Sequence, residues 1–168
     1  GNDSFISFQF FLIEEGLDVI RQIDLSDNAQ AKAVYELQQL AYIVEATYLG
    51  TRDIPPLQET FEAFQTCDEV FIGYEKEGVL VGVLGYFIKD EVIDIHRLFV
   101  HPAFFGQQIA QALLQEVERH DHRKVVVMTG SQNQPAVRFY LKQGFELLKV
   151  VETSTNLSLS FFQKKPRD

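Results

Sequence analysis

Apolar and polar side chains alternate from Leu17 to Asp24 (LDVIRQID), the period-two pattern of a half-buried strand. Ser26-Asp27-Asn28 stops that run, and Asp27 with Gln30 three positions later fits a capping box. The spacing then turns helical, with Val34, Leu37, Ala41, Val44 and Tyr48 on one face and Gly50 as the stop. Pro55-Pro56 opens a short second helix that shows Leu57, Phe61 and Phe64 on one side. Two strands follow, EVFIGYEK and VLVGVLGYFIKD, separated by the tight-turn pair Glu77-Gly78. Asp90-Glu91 leads into IDIHRLFV, where alternation sets Asp94, His96, Leu98 and Val100 against Ile93, Ile95, Arg97 and Phe99. Pro102 ends that strand, and Ile109, Leu113, Leu114 and Val117 share the face of the next helix. KVVVM (124–128) is a continuous apolar run, which reads as a strand buried on both faces. A helix from Asn133 to Gly144, a strand over Glu146–Val151 and a last strand in NLSLSFFQKK complete the chain. In that last strand Leu157, Leu159 and Phe161 oppose Ser158 and Ser160.

The alternation of strands and helices predicts an α/β (α+β) domain over 17–168, with no repeat, linker or biased tract dividing it. The opening FISFQFFLI is too short for a membrane span and lacks a basic flank, so residues 1–16 read as an extra strand or extension of the same unit. Among these elements the passage from Val100 to Ile109 carries the first chemical signal. A strand that turns directly into a helix aims unspent N–H groups, with about half a positive charge behind them, at one point. Such a point binds anions, most often phosphate.

Bulk properties narrow the field. The 168 residues carry a formal charge of -9, which argues against a nucleic-acid surface, because neutralising phosphates needs Lys and Arg. The acidic balance suits a cationic acceptor. A lone cysteine, Cys67, excludes an internal disulfide and fits a reducing, cytoplasmic setting. His101, His120 and His122 show no metal-ligand spacing, and no metal site is expected.

Two stretches, VHPAFFGQQIAQALL (100–114) and NQPAVRFYLKQGFE (133–146), resemble the two main motifs of the GNAT acyltransferase superfamily, in the right order and at a suitable separation. The likeness is clear over about Val92–Glu146. It implies a mixed central sheet, flanked by helices, whose central strands splay to admit the pantetheine arm of acetyl-CoA. It implies a cofactor site made by the strand residues Leu98, Phe99 and Val100 and the turn and helix start Phe105, Gly106, Gln107, Gln108, Ile109, Ala110 and Gln111. The second motif adds Asn133, Ala136, Arg138, Phe139 and Lys142, with Arg138 and Lys142 as candidates for the 3′-phosphate end. Phe105 stands where the family has Arg or Gln, and Gln108 where it has a glycine; a helical φ at Gln108 would avoid strain and let its amide reach phosphate.

The resemblance also implies the chemistry, attack of an amine on the bound thioester. Tyr140 matches the family tyrosine that protonates the leaving thiolate. Asp94, four residues before Leu98, matches the position of a catalytic Glu in some members, and His96 competes with it as the base. Tyr42 and Glu45, on the first long helix, are the candidates for the acceptor pocket, Glu45 attracting a cationic amine. The expected partners are therefore acyl-CoA and an amine, with neither nucleic acid nor membrane, and exposed aromatic strands are compatible with a homodimer. A catalytically inert CoA-binding or protein-interaction domain on the same fold stands as the alternative, motivated by Gln108 and Phe105.

Overall fold

A computed structural model describes residues 8–13 and 16–166, with side-chain surroundings described from residue 18 onward. Its elements are β1 (Phe8–Ile13), β2 (Gly16–Gln22), α1 (Asn28–Leu49), α2 (Pro55–Gln58), α3 (Phe61–Gln65), β3 (Val70–Lys76), β4 (Val79–Lys89), β5 (Val92–Val100), α4 (Ile109–Val117), β6 (Lys124–Gly130), α5 (Gln134–Lys142), β7 (Glu146–Glu152) and β8 (Ser158–Lys164). A single 3₁₀ turn, Pro102–Phe104, joins β5 to α4. The eight strands form one sheet in the order β1-β2-β3-β4-β5-β6-β8-β7. Neighbours are antiparallel except β5 and β6, which run parallel. The opening stretch is thus an extra strand over Phe8–Ile13, hairpinned onto β2.

Local chemistry accounts for most boundaries. Asp27 caps α1 by accepting from the N–H groups of Ala29 (3.0 Å) and Gln30 (3.4 Å), and Gly50 closes the helix at φ 74°. The expected second helix is two helices. Glu59 is extended between them, and Thr60 caps α3 by accepting from the Ala63 N–H. The helical spacing of Ile109, Leu113, Leu114 and Val117 predicted their burial, and all four are buried.

Two cores lie on opposite faces of the sheet. Beneath α4 and α5, Ile109, Leu113, Leu114, Val117 and Tyr140 pack on Val81, Leu84, Ile93, Ile95 and Phe162. Beneath α1, α2 and α3, Val34, Leu37, Tyr42 and Phe64 pack on Phe71, Val83 and Phe99. Gly82 permits the first arrangement: a Cβ there would lie 2.7 Å from Ile109 Cγ2, so any side chain would push the start of α4 off the sheet.

Three strand expectations change. In β5 the pairing with β4 slips between Gly85 and Tyr86, leaving His96 as the extra residue of a bulge. The bulge resets alternation, so Ile93 and Ile95 share a core with Val100 and Leu98, while Phe99 joins the opposite one. Simple alternation had placed Ile93 and Ile95 with Arg97 and Phe99. In β6, Val125 and Val127 are buried but Met128 is 49 % exposed, so the strand is covered on one face more than the other. In β8 the serine face turns inward: Ser160 is buried and bonded to Ser131 (2.7 Å), while Leu159 and Phe161 are only half-buried.

Candidate active site

The parallel pair β5–β6 opens part-way along its length. Registered pairing covers only Val92–Ile95 against Lys124–Val127, although β5 continues to Val100 and β6 to Gly130. The bulge at His96 begins where the pairing stops, and its added twist turns the rest of β5 away from β6. Above Ile95 the β6-facing edge of β5 therefore carries unpaired backbone groups, which an extended amide chain could pair with as an added strand would. Leu98 is half-buried against the core under α4, Val100 is buried in it, and Phe99 is buried on the α1 side.

At the end of β5 the chain passes through the 3₁₀ turn to the start of α4. His101 Nδ1 accepts from the Ala103 N–H (3.0 Å) and fixes the turn. Gly106 (φ 81°) and Gln108 (φ 64°, ψ 22°) are both left-handed. The helical φ anticipated for Gln108 is not adopted: this glutamine holds the conformation for which the family uses glycine, at a cost of about 1–2 kcal/mol. Its side chain makes no cap bond. The first α-helical bond runs from Ala112 N–H to Gln108 C=O (3.0 Å), so the N–H groups of Ile109, Ala110 and Gln111 have no intrahelical acceptor. Phe105 is 54 % exposed beside them, and Gln107 and Gln108 are exposed as well. Arg138 and Lys142 are exposed on α5, and neither forms an ion pair among the described residues. Ala136 and Phe139 are half-buried against the core beneath α4.

An unpaired strand edge leading to a helix start rich in free N–H groups suits a ligand with an amide-bearing arm and a phosphate end. The space beside Gly106 is open, since a Cβ there would meet nothing within 4 Å.

Tyr140 stands at the far wall. It is buried and boxed edge-on by Phe139 (5.1 Å between centroids) and Phe145 (5.3 Å), with Phe162 at 5.9 Å. Its hydroxyl makes no hydrogen bond among the described residues. Burial, and then the charge of Glu45, push its titration far above the usual phenol range, so it remains a proton donor. Tyr42 is likewise held protonated by burial, Glu45 and Tyr140. Tyr140 belongs to the core under α4 and α5, Tyr42 to the core under α1.

Glu45 on α1 is half-buried, with Oε1 accepting from Asn133 Nδ2 (2.9 Å) at the start of α5. Burial raises its pKa, and the Asn133 bond partly offsets the rise. Asn133 is buried and also caps α5, its Oδ1 accepting from the Ala136 N–H (3.3 Å). The sequence placed Glu45 and Asn133 in separate roles; they stand 88 positions apart, and no local pattern signals their contact.

Asp94 and His96 form their own pair, Asp94 Oδ2 to His96 Nε2 at 3.2 Å, and the Phe87 ring stands edge-on to the imidazole at 4.7 Å. Both are well exposed (49 % and 43 %), and no contact among the described residues joins them to Tyr140 or Glu45. The bulge also separates Asp94 from the Leu98 face on which simple alternation had placed it.

A further cluster escaped the sequence reading. Arg97 reaches Glu59 (2.6 Å), Glu69 (2.7 Å) and Gln38 (2.7 Å), with Phe64 and Phe71 rings 5.3 and 5.5 Å from its guanidinium carbon. Burial opposes its charge, but the hydrogen bonds of Glu69 and Glu59 outweigh that and hold it ionised. The cluster ties α1 and the α2–α3 joint to β5 immediately before Leu98.

This strand opening, helix start and buried tyrosine are the frame of a CoA-dependent acyltransferase fold. A family model described as the acetyltransferase (GNAT) family matches residues 31–145, and the chain belongs to that family. Among curated proteins it is 39 % identical over 139 residues to the UPF0157 protein YqkA of Bacillus subtilis (strain 168), covering 82 % of this chain and 40 % of that protein. The chain therefore spans less than half the length of that relative. Among solved structures, the PaiA N-acetyltransferase of Thermoplasma acidophilum in complex with coenzyme A superposes with a TM-score of 0.69 at 20 % identity, over 89 % of this chain and 99 % of that one. The yncA protein of Salmonella typhimurium, solved with its cofactor acetyl-CoA, gives 0.61 at 22 % identity, over 89 % and 94 %. At such identities these two likenesses speak for the fold.

Proposed function

We propose that this domain transfers an acetyl group from acetyl-CoA to a primary amine by direct attack. The observation that supports the reading is the end of β5–β6 pairing at Ile95, after which β5 runs on to the start of α4, which no side chain caps. When bound, acetyl-CoA supplies the acetyl thioester. Leu98 and Val100 offer backbone groups to its amide arm, the N–H groups of Ile109, Ala110 and Gln111 offer an anion cradle, and Arg138 and Lys142 offer positive charge nearby. A backbone N–H of the strand edge polarises the carbonyl. Tyr140 keeps its proton until a thiolate leaves, then donates it. Glu45, with Tyr42 beside it, draws the cationic amine to the mouth of the opening on the α1 side.

Calorimetric titration with acetyl-CoA, with CoA as control, followed by release of free CoA against a panel of primary amines, tests this. Saturable binding with amine-dependent release of CoA is the expected result. The strained, uncapped Gln108 favours one rival, an inert CoA-binding domain. Binding without turnover on any amine would favour that rival.

A further inference from the structure

The proposed reaction leaves the base open, and the structure discriminates between the candidates. Asp94 and His96 are exposed, paired with each other and out of contact with Tyr140. Glu45 is half-buried, its charge raises the titration of Tyr140, and it is held by Asn133 at the start of α5, the helix that carries Tyr140. We infer that Glu45 is the base that takes the proton of the incoming ammonium, and that Asn133 is the positioning residue that holds it there. This rests on the acetyl-transfer reading above.

The geometry gives each atom of Asn133 a separate task. Oδ1 fixes the first turn of α5, the helix that carries Tyr140, and Nδ2 fixes the carboxylate on α1. One side chain thereby sets the distance between the proton acceptor and the proton donor. Its bond takes one oxygen of Glu45, leaving Oε2 for the substrate. Gln38, two turns earlier on the same face of α1, is already committed to Arg97 and Glu59. The titratable groups facing Glu45 are Tyr42 on its own helix and Tyr140 on α5, both neutral, while Arg97 and Glu69 act on Tyr42 from the strand side. The partial burial that raises Glu45 above the usual carboxylate range makes it a better proton acceptor for an alkylammonium than an exposed carboxylate.

The protons balance. Glu45 takes one from R–NH3+, and the free amine forms the C–N bond as the C–S bond breaks. The thiolate takes the Tyr140 proton, the second amine proton returns to Tyr140, and Glu45 releases its own to water. The product is an amide, CoA-SH and one H+. Tyr42, three positions before Glu45 on α1 and edge-on to Phe99 (5.6 Å between centroids), sets aromatic surface beside the carboxylate, which suits an alkylamine with an aromatic body.

The test uses Glu45→Gln and Asn133→Asp, with phenethylamine as the acceptor. For Glu45→Gln, kcat is expected to fall about 10²–10⁴-fold with acetyl-CoA affinity unchanged, and the acid limb of the pH–kcat profile to disappear. Asp caps helices as well as Asn, so Asn133→Asp keeps α5 but sets a second carboxylate against Glu45. Its acid limb should move to higher pH, and NMR titration of the Glu45 carboxyl should show the same upward move without any substrate. A Glu45→Gln protein that changes only KM would make Glu45 an ammonium anchor and overturn the assignment, as would an unmoved limb and unmoved titration in Asn133→Asp. Failure of wild-type protein to bind acetyl-CoA would instead remove the acetyl-transfer reading, and this inference with it.

Discussion

The two faces of the sheet are built on different principles. Under α4 and α5 the core is built of apolar and aromatic side chains, Tyr140 among them. Under α1, α2 and α3 an ionic cluster centred on Arg97 sits within an aromatic core. The difference follows from what each face must fix. A regular amphipathic helix such as α4 seats itself by burying one apolar stripe. The four- and five-residue helices α2 and α3 are too short to do so, and directional hydrogen bonds from Glu59 set their position instead.

The contrast predicts unequal responses to substitution. Arg97→Met should be the most damaging to stability, because it strands Glu59 and Glu69 in a largely buried site; a loss of about 3–5 kcal/mol is expected in urea unfolding. An equal loss from Leu113→Met, a volume-conserving swap worth under about 1.5 kcal/mol, would erase the distinction between the faces. Tyr140→Phe should leave the fold intact, since the ring keeps its aromatic box and no protein bond is lost. Its kcat should nevertheless drop about 10²–10⁴-fold, and unchanged turnover would remove Tyr140 from the chemistry. Gln108→Gly relieves the left-handed strain but frees the unfolded chain, so a gain of about 0.5–1 kcal/mol in unfolding free energy is expected.

The smallest effect is pH-dependent. Because burial raises the Glu45 pKa in the fold, the stability linked to this group is fully present below the ordinary carboxylate pKa and is lost as pH rises through the raised value. Glu45→Gln should therefore melt slightly higher than wild type at neutral pH, and the gain should vanish at about pH 4 and below. A gain that persists in acid would show that the carboxylate is not strained by burial.

Much of this was legible from local spacing. The apolar stripe of α4, the Asp27 and Asn133 caps, the stops at Gly50 and Gly144 and the order of strands each depend on a few neighbouring residues, and the motifs around Ile109 and Tyr140 carry the family likeness. Three features were not legible. The bulge at His96 depends on how β4 pairs with β5, and it inverts the facing that alternation assigns to Asp94. The inward turn of Ser160 depends on Ser131, supplied by the β6–α5 loop.

The left-handed turn at Gln108 depends on where the end of β5 and the packing of Ile109 over Gly82 oblige the chain to go, against the preference of the residue itself. The sequence by itself determined which segments are strands and helices, which helix faces are apolar and which two motifs hold the cofactor candidates. Tertiary structure alone decided that β5 parts from β6 above Ile95, that Arg97 gathers two carboxylates, and that Glu45 meets Asn133. Local propensity acts over a turn or a strand pair, whereas the meeting of side chains 38 and 88 positions apart (Glu59 with Arg97, Glu45 with Asn133) exists only once both faces have closed on the sheet.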